Sequence, residues 1–122
     1  MKRGTEAYAA ALDATVTILQ QWAREGRTGW YSALSAELKE LDHPVHHRSK
    51  TMSELLEDAC RREYSNGGLI LSAIVVNKVG GKPSGQFFEL AKTSPFHRTD
   101  PGWTWEDERD RVFAHYSTIR RS

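Results

Sequence analysis

The chain has 122 residues, a hydrophobic content of 39% and a formal net charge of +1. This length suits one compact domain with its own core, and the composition excludes a disordered chain. A pI near 7.9 gives no bulk electrostatic case for a nucleic-acid binder, so any basic patch must be local. The single cysteine excludes an intramolecular disulfide, and no signal-peptide or membrane-spanning pattern is present, so we expect a cytoplasmic protein.

Two helices are predicted in the first third of the chain. Residues 5–24 place Tyr8, Leu12, Leu19 and Trp22 at helical spacing, and Gly26 suits the C-terminal stop. A shorter helix is predicted at about residues 32–41, with Ser32 as its cap. Residues 29–31, just before it, form either a turn or a short strand.

A third helix follows the polar loop at residues 42–50. Residues 51–54 (TMSE) match a capping box, and Leu55, Leu56 and Cys60 continue an apolar face. The segment SNGG at residues 65–68 predicts the end of this helix, because Asn and Gly adopt the left-handed conformation that terminates helices.

Residues 69–90 (LILSAIVVNKVGGKPSGQFFEL) are the most informative segment. A β-branched run breaks at a Gly-Gly-Lys-Pro turn and restarts at Phe87, which predicts a β-hairpin. Two helices followed by such a hairpin are the order of a winged-helix module. Residues 86–91 remain open between a returning wing strand and a short helix capped by Ser84.

The last predicted element is a helix at about residues 104–120, after a loop with two prolines. Trp105, Val112, Tyr116 and Ile119 follow helical spacing, and its acidic first turn suits the helix dipole. This face packs either within the monomer or in a homodimer.

The expected fold class is therefore α+β, mainly helical, in a single domain over residues 1–122. A winged-helix-like centre with a β-hairpin, at about residues 29–91, is flanked by long N-terminal (about 5–25) and C-terminal helices.

The segments YSALSAEL (31–38) and ELLEDACR (54–61), with the strand from Leu69, resemble the winged-helix domain of the alkyltransferase-like DNA-binding family. The resemblance covers about residues 29–88. It implies that Tyr31 lies against the DNA backbone. The position similar to the family's base-extruding Arg is Glu54, and SAIV at 72–75 stands in place of the family's Pro-Cys-His-Arg segment. The resemblance therefore supports the architecture and argues against alkyl transfer.

We expect DNA binding without catalysis or cofactor, in a regulatory or accessory role, through a wing and a basic loop. The candidate contacts are Tyr31 and the cations that the loop, the third helix and the wing carry. These cations are Arg48, Lys50, Arg61, Arg62, Lys78 and Lys82. This wing-based DNA hypothesis depends on a hairpin that projects the cations toward one polyanion. Cations on opposing sides of the molecule, or a buried strand in place of the hairpin, would end it.

Two plainer interpretations stand beside this one. Gly80-Gly81 is equally well a simple turn with solvated lysines at its mouth. The acidic surface of the third helix, with Glu54, Glu57 and Asp58, disfavours base readout. It leaves room for backbone contact without much sequence preference, or for a protein-interaction or inhibitor module such as a phage or mobile-element accessory protein.

Enzymatic interpretations are weaker. His43, His46 and His47 suggest a metal-dependent nuclease, with His97 or Asp100 as further ligands, but no recognised ligand frame accompanies them, and solvated histidines are the preferred interpretation. Cys60 lies on an apolar helix face and is expected to be a buried structural thiol. The run of carboxylates at residues 106–110 is expected to be mostly exposed, with arginine partners within the same helix.

Overall fold

The computed structural model describes residues 1–121, with side chains for residues 1–117. Five α-helices lie within the described residues, and the protein is 58% helical. They are α1 (Glu6–Arg24), α2 (Tyr31–Glu40), α3 (Lys50–Glu63), α4 (Gly85–Lys92) and α5 (Trp105–Arg121). Two short strands, β1 (Gly29–Trp30) and β2 (Val75–Val76), form a parallel pair, and a 3-10 helix (Leu71–Ile74) precedes β2. The expected class, α+β and mainly helical, is confirmed.

The core lies where α1 and α5 pack against each other and against the 3-10 helix. Leu19, Trp22, Val112 and Tyr116 are all almost completely buried there. The apolar face of α5 is thus used within the monomer, and the predicted contribution of Ile119 lies outside the described side chains. Trp22 and Trp105 also belong to the core.

The parallel sheet joins the two halves of the chain. Gly29 pairs with Val75, and Trp30 pairs with Val76. A Cβ atom at Gly29 would lie 2.2 Å from Cζ3 of Trp22, so the indole of α1 packs directly on the backbone of β1. This close approach explains the glycine at that position.

The predicted β-hairpin is wrong. The described residues contain no antiparallel pair, and β2 is only two residues long and buried. All of residues 70–76 are buried, so the run lacks the alternation of a half-exposed strand, and a continuous apolar run does not reveal its own secondary structure. After a tight turn the chain enters α4, which settles the open choice at residues 86–91 in favour of a helix.

Helix boundaries show smaller corrections. Helix α3 is capped by Ser49, whose hydroxyl accepts from the amide of Met52 at 3.1 Å, so the predicted capping box starts two residues late. Lys50 consequently belongs to α3 and not to the loop. Helix α2 begins at Tyr31, one residue before the predicted cap at Ser32. Helix α5 begins at Trp105, close to the predicted start, and the glycine end of α3 is confirmed.

Glu106, Asp107 and Asp110 are exposed, as expected of most carboxylates in this run, whereas Glu108 is buried and its arginine partner lies outside α5. Glu108 has no exposed surface, and Arg98 donates to it from Nε at 2.9 Å. The amide of Ile70 and the indole of Trp103 also donate to Glu108, at 3.0 Å each. These bonds tie α5 to the loop before it and to the chain that enters the 3-10 helix.

No helix in the described part of the chain is both long enough and apolar enough to cross a membrane.

Candidate functional site

An open groove of about 1440 Å³ lies between α3 and α4. The start of α2 and the turn at residues 77–84 close its other sides. Buried or half-buried apolar side chains form its floor, namely Met52, Leu56, Phe87 and Leu90. We call this surface the α3–α4 groove.

Charged side chains line the groove, and cations outnumber carboxylates. Three carboxylates line it: Glu54, Glu57 and Glu89. Five cations line it: Arg3, Arg48, Lys50, Arg61 and Lys78. The groove is therefore a local basic patch on a chain whose formal net charge is only +1.

Three of the predicted DNA-contacting cations stand in the groove without a carboxylate partner. Within the described residues, no acidic side chain lies within ion-pairing distance of Arg48, Lys50 or Lys78. Their charge is free to meet an anion, because no internal ion pair must first be broken.

The other predicted cations are placed differently. Arg62 pairs with Asp13 of α1, and Lys82 does not line the groove. Arg61 lines the groove but donates to Glu57 at 3.1 Å and to the carbonyl of Ser94. These three side chains are therefore less available to a ligand in the groove.

Tyr31 lines the groove, but its hydroxyl is already used. It accepts from the amide of Ser84 at 2.9 Å and lies 3.2 Å from the hydroxyl of the same serine. Burial raises the pKa of Tyr31 above its ordinary value. The contacts of Tyr31 therefore join the start of α2 to the end of the 77–84 turn.

That turn is closed by its own backbone. The amide of Asn77 donates to the carbonyl of Lys82 at 2.8 Å, and the amide of Gly81 donates back to Asn77 at 3.2 Å. Gly80 and Gly81 have φ values of +90° and +66°, which side chains rarely adopt. The predicted sharp Gly-Gly turn is confirmed, although it leads into a helix.

Arg3 also lines the groove, although the sequence gives no reason to expect it there. Its guanidinium contacts Glu54 at 3.3 Å, Glu57 at 3.2 Å and Asp58 at 2.9 Å. Partial burial alone would raise the pKa of Asp58, but hydrogen bonds from Arg3 and Tyr8 lower it. Local sequence patterns cannot predict these contacts, because the partners are more than 50 positions apart.

Two exposed apolar side chains stand at the edge of the groove. Trp30 is 45% exposed and Val79 is 90% exposed. The ammonium of Lys78 lies 5.0 Å from the centre of the Trp30 ring, which places a cation over the indole face. Trp103, by contrast, is half-buried on Glu108 and does not line the groove.

The histidine cluster does not form a metal centre in the described part of the chain, where no three His, Cys, Asp or Glu side chains could hold an ion. The rings of His46 and His47 stack with centres 4.5 Å apart. Nδ1 of His46 accepts from the amide of Arg48 at 3.1 Å. The nuclease interpretation therefore gains no support from the geometry.

Cys60 is completely buried and lies 3.1 Å from the hydroxyl of Ser72. Burial raises the pKa of its thiol to about 11. The expectation of a structural thiol is confirmed.

Comparisons with protein-family models, curated proteins and solved structures find no match to this chain.

Proposed function

We propose that this protein is a non-catalytic DNA-binding regulatory or accessory protein that holds the phosphate backbone in the α3–α4 groove. The observation that carries the proposal is the convergence of Arg48, Lys50 and Lys78 on one open surface without carboxylate partners. Contacts between cations and phosphates supply most of the affinity for DNA and require no catalytic group. A local patch of this kind is what a nearly neutral chain needs for such binding.

The proposal retains DNA as the partner and abandons the wing. Without a hairpin, no pair of lysines projects from a strand tip. Lys78 instead contributes from the wall of the groove, while Lys82 lies outside it. Tyr31 contributes indirectly, because it holds Ser84 and with it the end of the turn that carries Lys78.

The acidic surface of α3 is compatible with this role because Arg3 offsets it. Glu54 and Glu57 line the groove and would repel phosphate if they were unpaired. Both contact the Arg3 guanidinium, so their negative charge is partly compensated where a phosphate would approach.

The test is salt-dependent binding of a labelled oligonucleotide, offered as duplex and as single strand, measured by fluorescence anisotropy at about 50 mM salt and above. Lys78→Ala is expected to weaken binding and to reduce the slope of log affinity against log salt by about one. Lys82→Ala is the matched control, since it removes the same charge from the same turn but outside the groove. Equal effects of the two variants, or no binding of either form, would contradict the proposal.

A second candidate function is a protein-interaction or inhibitor module. The specific observation in its favour is Val79, a side chain 90% exposed at the edge of the groove, which phosphate contacts would not use. Under this alternative, Val79→Ser would abolish co-purification of one dominant protein partner. Under the DNA proposal, the same variant would leave oligonucleotide binding unchanged.

A further inference from the structure

We infer that the groove takes a single strand of nucleic acid, with a base stacked on Trp30, in preference to a duplex. This inference rests on the proposed function and specifies the form of the polyanion. Three features of the groove carry it: its shape, its apolar floor and the pairing of an exposed indole with a lysine.

The shape of the site suits a strand better than a double helix. Proteins that read duplex DNA insert a protruding helix or ribbon into the DNA groove. Here α3 is one wall of a hollow, with α4 and the 77–84 turn standing opposite. Helix α3 also carries the half-buried carboxylates Glu54, Glu57 and Asp58, which Arg3 holds and which offer no donors to base edges.

The floor of the groove is apolar, and it therefore favours a ligand that exposes apolar faces. A duplex keeps its base faces stacked inside and presents sugars and phosphates to a protein outside its grooves. An unpaired strand exposes those faces, and burying them against Leu56, Phe87 and Leu90 removes apolar surface from water.

Trp30 supplies the stacking platform. Its indole is 45% exposed although a cation, Lys78, already lies over the ring. Its backbone pairs with Val76 in the sheet, so the ring extends from a fixed element at the groove edge. A cationic groove together with an exposed aromatic side chain is the combination by which proteins bind single strands without sequence preference.

The test compares one oligonucleotide of about 12 nucleotides, single-stranded and annealed to its complement, in the same anisotropy assay. We expect the single strand to bind at least about tenfold more tightly, and Trp30→Ala to weaken its binding by roughly 5- to 150-fold. Trp30→Phe should keep part of the affinity. Leu41→Ala is the matched control, because Leu41 is also exposed but does not line the groove.

The outcomes separate this inference from the proposed function. Tighter binding of the duplex, or equal loss of single-strand affinity in Trp30→Ala and Leu41→Ala, would overturn the single-strand inference while the proposed function stands. If neither form binds to wild-type protein, both fall. Thermal unfolding of each variant, monitored by circular dichroism, checks that a loss of binding is not a loss of folding.

Discussion

Arg98 and Glu108 form a buried ion pair that joins the loop before α5 to the core. The two side chains meet at 2.9 Å, and the relative exposure of Glu108 is 0% against 18% for Arg98. Burial alone would raise the pKa of Glu108, but the donors from Arg98, Trp103 and Ile70 outweigh it and lower that pKa. The carboxylate is therefore charged inside the protein because four donor groups face it.

Glu108→Gln should destabilise the fold by about 3 kcal/mol, because it leaves the Arg98 guanidinium without a compensating charge. Urea unfolding followed by circular dichroism measures the change in the free energy of unfolding. Glu89→Gln is the control, since Glu89 lies on the surface and pairs with Lys92 at 3.7 Å. Equal stabilities of the two variants would show that the pair has no structural role.

The same pair should make stability depend on pH. The pKa of Glu108 is lower in the folded protein than its ordinary value of 4.5, so its stabilisation is complete above that value and is lost as the pH falls through the folded-state pKa. The difference in unfolding free energy between wild type and Glu108→Gln should consequently be largest near about pH 7 and shrink toward about pH 3. A difference that grows on acidification would contradict the assignment of a charged carboxylate.

Gly29→Ala should destabilise the protein by about 1–3 kcal/mol, because the new methyl group would meet the Trp22 ring at 2.2 Å. The indole also donates to Glu37 at 2.9 Å and cannot move without straining that bond. Gly85→Ala is the matched control: nothing lies within 4 Å of a Cβ atom there, and no positive φ opposes it. Unfolding curves of both variants distinguish local crowding from a general cost of replacing glycine.

Cys60 should be unreactive in the folded protein. Its thiol is completely buried, and its pKa of about 11 leaves little thiolate near neutral pH. We expect an aromatic disulfide reagent at about pH 8 to label it only after addition of denaturant, at the rate of global unfolding. Rapid labelling of native protein would show that the packing of α3 on the 3-10 helix opens locally.

Much of the helical framework could be predicted from sequence, for identifiable reasons. The stripe through Tyr8, Leu19 and Trp22 is a local signal, and the structure confirms the helix that it predicts. The hairpin could not be predicted correctly, because residues 70–76 are buried on every side and carry no periodicity. The Gly80-Gly81 turn is a local signal and is confirmed. A return strand does not follow from that turn, and the chain forms α4 instead.

The candidate site, like the fold, could be predicted only in part from the sequence. The cations of the groove were recognisable as residues, but their availability depends on partners far along the chain. Arg62 is paired with Asp13, 49 positions away, while Arg48 remains without a described carboxylate partner. The sequence pattern gives no sign that Glu108 differs from its neighbouring carboxylates, whereas Arg98 and Trp103 donate to it in the fold. Such pairings are properties of the fold and leave no trace in local spacing.

Arg3 provides the last prediction, because it determines how strongly the α3 carboxylates oppose an anion. Arg3→Gln removes one cation from the groove, leaves Glu54 without its arginine partner and leaves Glu57 with Arg61 alone. We therefore expect oligonucleotide affinity at about 50 mM salt to fall by roughly fivefold to tenfold, more than in Lys78→Ala, and the deficit to shrink as salt screens the carboxylates. Lys2→Gln is the matched control, since this neighbouring cation does not line the groove. If the two variants bind the oligonucleotide equally well, the contacts of Arg3 only hold the N-terminal residues against α3 and do not affect anion binding in the groove.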